Sequence, residues 1–341
     1  MKVLIVRIGA MGDVLHAMPA VAALRELHPE WEIGWAIEPG WSALLGKPLV
    51  NRVFLTATKQ WGRNVFSGGT VAGVMGLRSE LRQGQFDLCV DLQGSIKSAV
   101  IGRMAGAKQF VGMAGPRERQ AAWLYGQRVR VTAAHVIEQG CELLGAAVGE
   151  TLRPVGVALP VDEAAERWCD AVAAEPFVLM APSAGWGAKE WPVERFGAVA
   201  AALGARGFRT LVNAASAGDK SAKGVVEASG GFATMVPCSI AQLIALTRRA
   251  ALVIAGDTGP LHLAAALERP VVGLYGPTDP ARNGPYAAGL YKTHSRVLRH
   301  ELSVTDHSRV AESGLLGIEV EEVVAAALEL LGTDVSANPR G

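Results

Sequence analysis

Short apolar runs, most of them too brief to be helices, recur along this chain, separated by longer stretches whose apolar positions fall three and four residues apart. In the first half the runs are KVLIVRI (2–8), EIGWAIE (32–38), NRVFL (51–55), FDLCVDLQ (86–93) and KQFVGM (108–113). Helical spacing occupies about 13–27, 68–83, 95–105 and 135–148. Continuous Val/Ile/Leu runs mark strands buried on both faces, and intervening helices predict crossovers in a parallel sheet. GETLRPVGVALPVDE (149–163) carries two prolines and little helical period, which predicts a linker.

After that dip the alternation resumes with FVLMAPS (177–183), a helix from about 192, RTLVN (209–213), ALVIAG (251–256) and RPVVGLYG (269–276). A last helix follows over about 318–332, and residues 333–341 read as a frayed tail. The pattern predicts an α/β protein of two doubly wound, Rossmann-like domains facing each other across a cleft. Their expected extents are 1–158 and 159–332, with the last helix able to pack back on the first domain.

Composition narrows the class. A chain of 341 residues suits two cores, and a net charge of only +1 argues against a nucleic-acid partner. Cys89, Cys141, Cys169 and Cys238 are scattered, with no C-x-x-C pair, which points to a reducing, cytoplasmic setting without a zinc site. The opening MKVLIVRIG is interrupted by Arg7 and lacks a cleavage signature, so it reads as a strand and not as a signal peptide. No uncharged apolar stretch reaches the roughly 18 residues that a membrane span needs.

Candidate chemistry gathers where strands end in glycines. In VIAGDTGPLHLAAAL (253–267) a strand runs into a helix that begins near Gly259-Pro260. Proline suits a first helical turn, and the N–H groups of Thr258, Gly259 and Leu261 would sit at the positive end of the dipole, a cradle for a diphosphate. His262 in that turn could donate to a phosphate or sugar oxygen, while Asp257 could equally be a plain helix cap. YGPTDP (275–280) forms a second glycine loop. In APSAGWGAKEWP (181–192) the glycines lead to Lys189, able to neutralise a diphosphate as a point charge or simply to be solvated, and Trp186 and Trp191 could be core or could wall a cleft. IVRIGAMGDVLHAMPA (5–20) puts Asp13 directly after a G-x-x-G loop. An anion is favoured at a helix N-terminus, so Asp13 is either a cap or a base for a hydroxyl proton. His16, one turn on, reads as a core or cleft-wall histidine.

MKVLIVRIGAMGDVLHAMPAVAALRELHP, FDLCVDLQGSIKSA, AKEWP, GDTGPLHLAAAL and GLYGPTDPARNGPY together resemble the ADP-heptose:lipopolysaccharide heptosyltransferases of glycosyltransferase family 9, inverting enzymes of the GT-B fold. The matches keep their order over about residues 1–290, and the spacing of DLQGSIKSA and GMAGPRE most resembles the heptosyltransferase I branch. The resemblance implies ADP-heptose as donor and a Kdo residue of the lipid A inner core as acceptor, with transient contact at the inner face of the inner membrane. No metal or other cofactor is expected, because the helix N–H groups and Lys189 can carry the diphosphate charge and no D-x-D pair stands at a strand end. Asp13 would be the base. Lys189 would meet the donor phosphates, Thr258 and Gly259 would hold them through N–H groups, Asp257 would contact the heptose, and His262 would lie beside the donor.

Three positions depart from the family's pattern. Ser183 is followed by Ala184 and Gly185 where further hydroxyls are usual, and Asp219 is the available acid for the adenosine ribose. The basic cluster for the anionic acceptor, beside Gly12, is thinned: TKQWGRN (58–64) keeps Lys59 and Arg63 but has Gln60 and Gly62 where arginines are common, with Arg117 in AGPRERQ (114–120). A later heptosyltransferase, or another GT-B enzyme with a different nucleotide sugar and a less anionic acceptor, fits the same motifs. So does a nucleotide-sugar binding protein without turnover. A dehydrogenase fits poorly, since GAMGD is not G-x-G-x-x-G.

Overall fold

The computed structural model describes residues 1–62, 64, 67–185, 187–286, 294–300 and 313–337. The chain forms two compact units, Met1–Pro160 and Val161–Gly341. Each contains one six-stranded sheet in which every pairing is parallel.

The first unit is built from β1 (Lys2–Val6), α1 (Met11–Leu27), β2 (Glu32–Ile37), β3 (Arg52–Leu55), α2 (Thr58–Trp61), α3 (Gly68–Gln83), β4 (Leu88–Asp91), α4 (Ile96–Ala105), β5 (Gln109–Met113), β6 (Gln127–Val129) and α5 (Val136–Val148). Its strand order is β3-β2-β1-β4-β5-β6. Leu4 and Val6 enter a core with Phe54, Phe86 and Phe110 that α3, α4 and the 3-10 turn Arg119–Leu124 cover. Val3 and Ile5, also buried, point to the opposite face by the pleat, the side on which a right-handed crossover places α1. α1 begins at Met11 and not at residue 13, so Asp13 is its third residue.

The second unit contains α6 (Glu163–Val172), β7 (Phe177–Ala181), α7 (Val193–Gly204), β8 (Arg209–Ala214), α8 (Lys220–Ala228), β9 (Ala233–Pro237), α9 (Ile240–Arg249), β10 (Leu252–Gly256), α10 (Gly259–Ala266), β11 (Val271–Tyr275), α11 (Pro280–Asn283), β12 (Ser295–Arg299), α12 (Ser313–Leu316) and α13 (Val320–Ala337). Its order is β12-β11-β10-β7-β8-β9. α13 lays Val323, Ala327, Leu330 and Leu331 into the second core and continues to Ala337, into the segment expected to be a frayed tail. The expected linker has no regular structure from 151 to 162, and α6 starts at its end, where the Asp162 side chain accepts the Ala165 N–H at 2.8 Å.

Three strands escape the hydrophobic pattern: β6, β9 and β12. All three are sheet edges. An edge strand is covered on fewer sides and needs fewer apolar residues, so QRV, ATMVP and SRVLR do not stand out as apolar runs.

Candidate active site

Both sheets reverse their strand order beside their first strand, between β1 and β4 in one unit and between β7 and β10 in the other. Open α/β sheets bind ligands beyond the carboxyl ends of strands at such reversals. Asp13, Lys189, Asp257 and Thr258 follow such strand ends.

In the first unit, Arg7 leaves β1 and organises the loop around Asp13. Its Nε donates to the Asp13 carbonyl at 3.1 Å, one terminal nitrogen lies 2.8 Å from Asp13 Oδ1, and the other donates to the Leu92 carbonyl. Asp13 Oδ2 accepts the Ala10 N–H at 3.1 Å. The carboxylate is thus fixed on both oxygens while remaining partly exposed. Gly9 is required where it stands: its φ is +154°, and a Cβ there would lie 2.9 Å from the Trp41 indole nitrogen.

The loop after β4 completes this end. Gln93 Oε1 accepts the Ile8 N–H at 2.7 Å. Asp91, fully buried, accepts from Gln93 N (2.9 Å), Gly94 N (3.1 Å), Ser98 Oγ (2.9 Å) and Tyr125 Oη (2.8 Å). Burial pushes its carboxyl above the usual carboxylate range, and the four hydrogen bonds offset only part of that.

The expected acceptor cations emerge on either side. Lys59 Nζ stands 5.7 Å from the Trp41 ring centroid, and its backbone N–H donates to Glu38 Oε1 at 3.3 Å. Arg117 follows β5 and is exposed, in a loop whose next residue, Glu118, donates its N–H to the Gly94 carbonyl at 2.9 Å. At about 4.8 Å between strands, the ends of β3 and β5 are roughly 19 Å apart, with β1 and Asp13 between them. Gly12 is half-buried beside Asp13. Arg63 lies outside the described residues, as does Trp186. His16 is buried with its ring edge-on to His135, 6.0 Å away, where α1 packs on α5, so of the two expected roles it has the core one.

In the second unit three predicted donor residues meet. Lys189 closes a 3-10 turn (Gly187–Lys189), and its Nζ is 2.5 Å from Asp257 Oδ2 and 3.3 Å from the Asp257 carbonyl. His262 Nε2 lies 2.9 Å from Asp257 Oδ1. Burial alone would push the Asp257 carboxyl up. The hydrogen bond and charge of His262, and then of Lys189, outweigh it and hold the group well below the usual carboxylate range. A Cβ on Gly256 would stand 3.2 Å from the Lys189 carbonyl, so the glycine lets the turn lie against the strand end.

Thr258 is the N-cap of α10, but its hydroxyl donates to the Gly256 carbonyl at 3.2 Å and no side chain caps the helix. Pro260 occupies the first turn after Gly259, as the sequence predicts. Next to this group, Ser183 Oγ donates to Asp219 at 3.1 and 3.2 Å, and Asp219 caps α8 by accepting the Ala222 N–H at 3.1 Å. Trp191 is core: it is buried against Phe196 and donates to the Ile318 carbonyl at 3.2 Å. Among the described residues no group of three or more His, Cys, Asp and Glu is placed to hold a metal ion.

Sequence reading missed Arg7, Gln93 and Asp91. Arg7 had a signal, since a charge at the end of a buried strand requires a partner.

Two all-parallel sheets in this strand order, each bearing polar chemistry at its reversal, are the build of a GT-B glycosyltransferase. The sequence carries that further: residues 74–306 match the model of glycosyltransferase family 9 (heptosyltransferase), and the chain belongs to that family. It is 28% identical over 291 residues to lipopolysaccharide heptosyltransferase 1 of Pseudomonas aeruginosa, covering 84% of this chain and 81% of that one. The heptosyltransferase 1 of Salmonella typhimurium is 29% identical, over 84% of this chain and 92% of its own. The solved E. coli heptosyltransferase WaaC with ADP superposes with a TM-score of 0.79 at 25% identity, over 97% of this chain and 100% of that one.

Proposed function

We propose that this glycosyltransferase moves a heptose from ADP-heptose to a Kdo residue of the lipopolysaccharide inner core, with inversion, and that Asp13 is the general base. The observation that carries the reading is the Lys189–Asp257–His262 cluster beside the start of α10, in a chain of this family. Lys189 and the N–H groups of Thr258 and Gly259 take the diphosphate and stabilise the charge that grows on it as the glycosidic bond breaks. Asp257 holds Lys189 and His262 in place. Each of its oxygens has a second lone pair with which to accept a heptose hydroxyl. Asp219 and Ser183 receive the adenosine ribose.

On the acceptor side, Asp13 takes the proton of the attacking Kdo hydroxyl. Arg7 keeps its carboxylate in one orientation, which supports a base positioned before substrate arrives. One displacement needs one base and no covalent intermediate, so the sugar inverts. Gly12, Lys59, Arg63 and Arg117 serve the anionic acceptor. Charge neutralisation falls to Lys189 and the helix start, with no divalent ion, and the enzyme works in the cytoplasm at the inner face of the inner membrane.

The test is transfer from ADP-heptose to a Kdo-bearing lipid A precursor, with and without EDTA, and with the product linkage determined. Calorimetry against UDP- and GDP-sugars accompanies it. Tighter binding of another nucleotide sugar, or full loss of activity in EDTA restored by magnesium, would contradict the donor or the metal-free part.

A further inference from the structure

The outer surface of the first unit carries a second feature that the transfer chemistry leaves unused. α3, α4 and the turn Arg119–Leu124 share one core, into which they send Leu77 and Leu81, Ala99, Ile101 and Ala105, and Ala121 and Ala122. Their outward sides are unusually apolar. Val71 and Met75 lie one turn apart on α3, Ile96 and Val100 one turn apart on α4, and Trp123 stands on the turn; these five are 42–76% exposed, Trp123 the most.

Cations continue the same stripes. Arg78 follows Met75 by three residues and Arg103 follows Val100 by three, so each apolar stripe ends in a guanidinium. Lys97 and Arg119 are also exposed. Among the described residues none of these four cations forms an ion pair. Residues 67–130 hold nine basic and four acidic residues, in a chain whose net charge is +1. Of those acids Asp91 is buried in the core and Asp87 is paired with Lys108.

We propose that this face seats the first unit on an anionic phospholipid bilayer. Val71, Met75, Ile96, Val100 and Trp123 enter the boundary between headgroups and acyl chains, and Arg78, Lys97, Arg103 and Arg119 meet lipid phosphates. An apolar patch alone would fit many partners. The unpaired cations set among the apolar side chains select a surface that is both greasy and negatively charged. The inference rests on the reading that the acceptor is lipid-linked, since such an acceptor is presented at a membrane.

The experiment is co-sedimentation of the full chain with vesicles of phosphatidylethanolamine and phosphatidylglycerol, against vesicles of phosphatidylcholine. The wild type binds the anionic vesicles, binds the neutral ones weakly, and is released only in part by salt. The triple variant Arg78→Glu, Arg103→Glu and Arg119→Glu loses at least about tenfold in partitioning. Trp123→Ser weakens binding that persists at high salt. Neither variant changes transfer to an acceptor freed of its acyl chains, and both slow transfer to acceptor embedded in vesicles.

Equal vesicle binding by wild type and both variants, or no binding by the wild type, overturns the docking surface even if transfer proceeds. Vesicle binding that follows these substitutions, in a protein that transfers no heptose, upholds the surface and overturns the functional reading instead.

Discussion

Asp257→Asn keeps the shape of the side chain and removes the charge shared by Lys189 and His262. Breaking a buried ion pair by removing one partner costs about 3–5 kcal/mol. Here the amide retains one acceptor oxygen, and the Lys189 side chain keeps 16% of its surface exposed, so water recovers part of the loss. The expected cost is therefore about 2–3 kcal/mol, which lowers the melting transition of a domain of this size by roughly 5–10 °C.

The pH dependence gives a sharper check. The folded Asp257 carboxyl lies below its unfolded value of about 3.9. Its stabilisation is fully present above that value and is lost as pH falls through the folded one. The gap between wild type and variant should narrow as pH falls below about 4. Calorimetric melts of both proteins at neutral and acidic pH read it directly. An unchanged melting temperature at pH 7, or a gap that does not narrow well below about pH 4, would refute the reasoning.

Asp91→Leu strands two backbone N–H groups and the Tyr125 hydroxyl, while the Ser98 hydroxyl keeps the Ser95 carbonyl, and should lower stability by at least about 3 kcal/mol in urea titrations. Asp91→Asn should cost much less, because burial already opposes the charge. Lys189→Ala should weaken calorimetric binding of ADP far more than that of adenosine, since the ammonium acts on phosphates. Arg117→Ala should raise the Michaelis constant for the acceptor and flatten its rise with salt, leaving ADP-heptose affinity unchanged.

Central strands were legible because burial on both faces makes them continuous apolar runs, and the glycine loops at their ends announced where polar chemistry would gather. The Asp257, Lys189 and His262 cluster was approached through motifs, but the pairing of Lys189 with Asp257 was not readable: 68 residues separate them, and only the β7–β10 pairing brings them together. Arg7 shows the same limit. It registered as a break in an apolar run, whereas its three partners depend on the β1–β4 pairing and on α1 starting two residues earlier than its pattern suggested. Asp91 lay inside FDLCVDLQ as one acid in a strand, with nothing local to mark four donors converging on it.

The central claim is that Asp13 is the base for the acceptor hydroxyl, and the most direct measurement is single-turnover transfer by Asp13→Ala with both substrates saturating. Loss of a general base lowers the rate by about 10²–10⁴-fold, while ADP-heptose affinity by calorimetry stays near wild type; the melting temperature falls modestly, because Arg7 loses its carboxylate partner but keeps the Asp13 and Leu92 carbonyls. A variant that folds, binds donor and turns over at close to the wild-type rate would contradict the account and leave Asp13 as the anchor of the helix start alone.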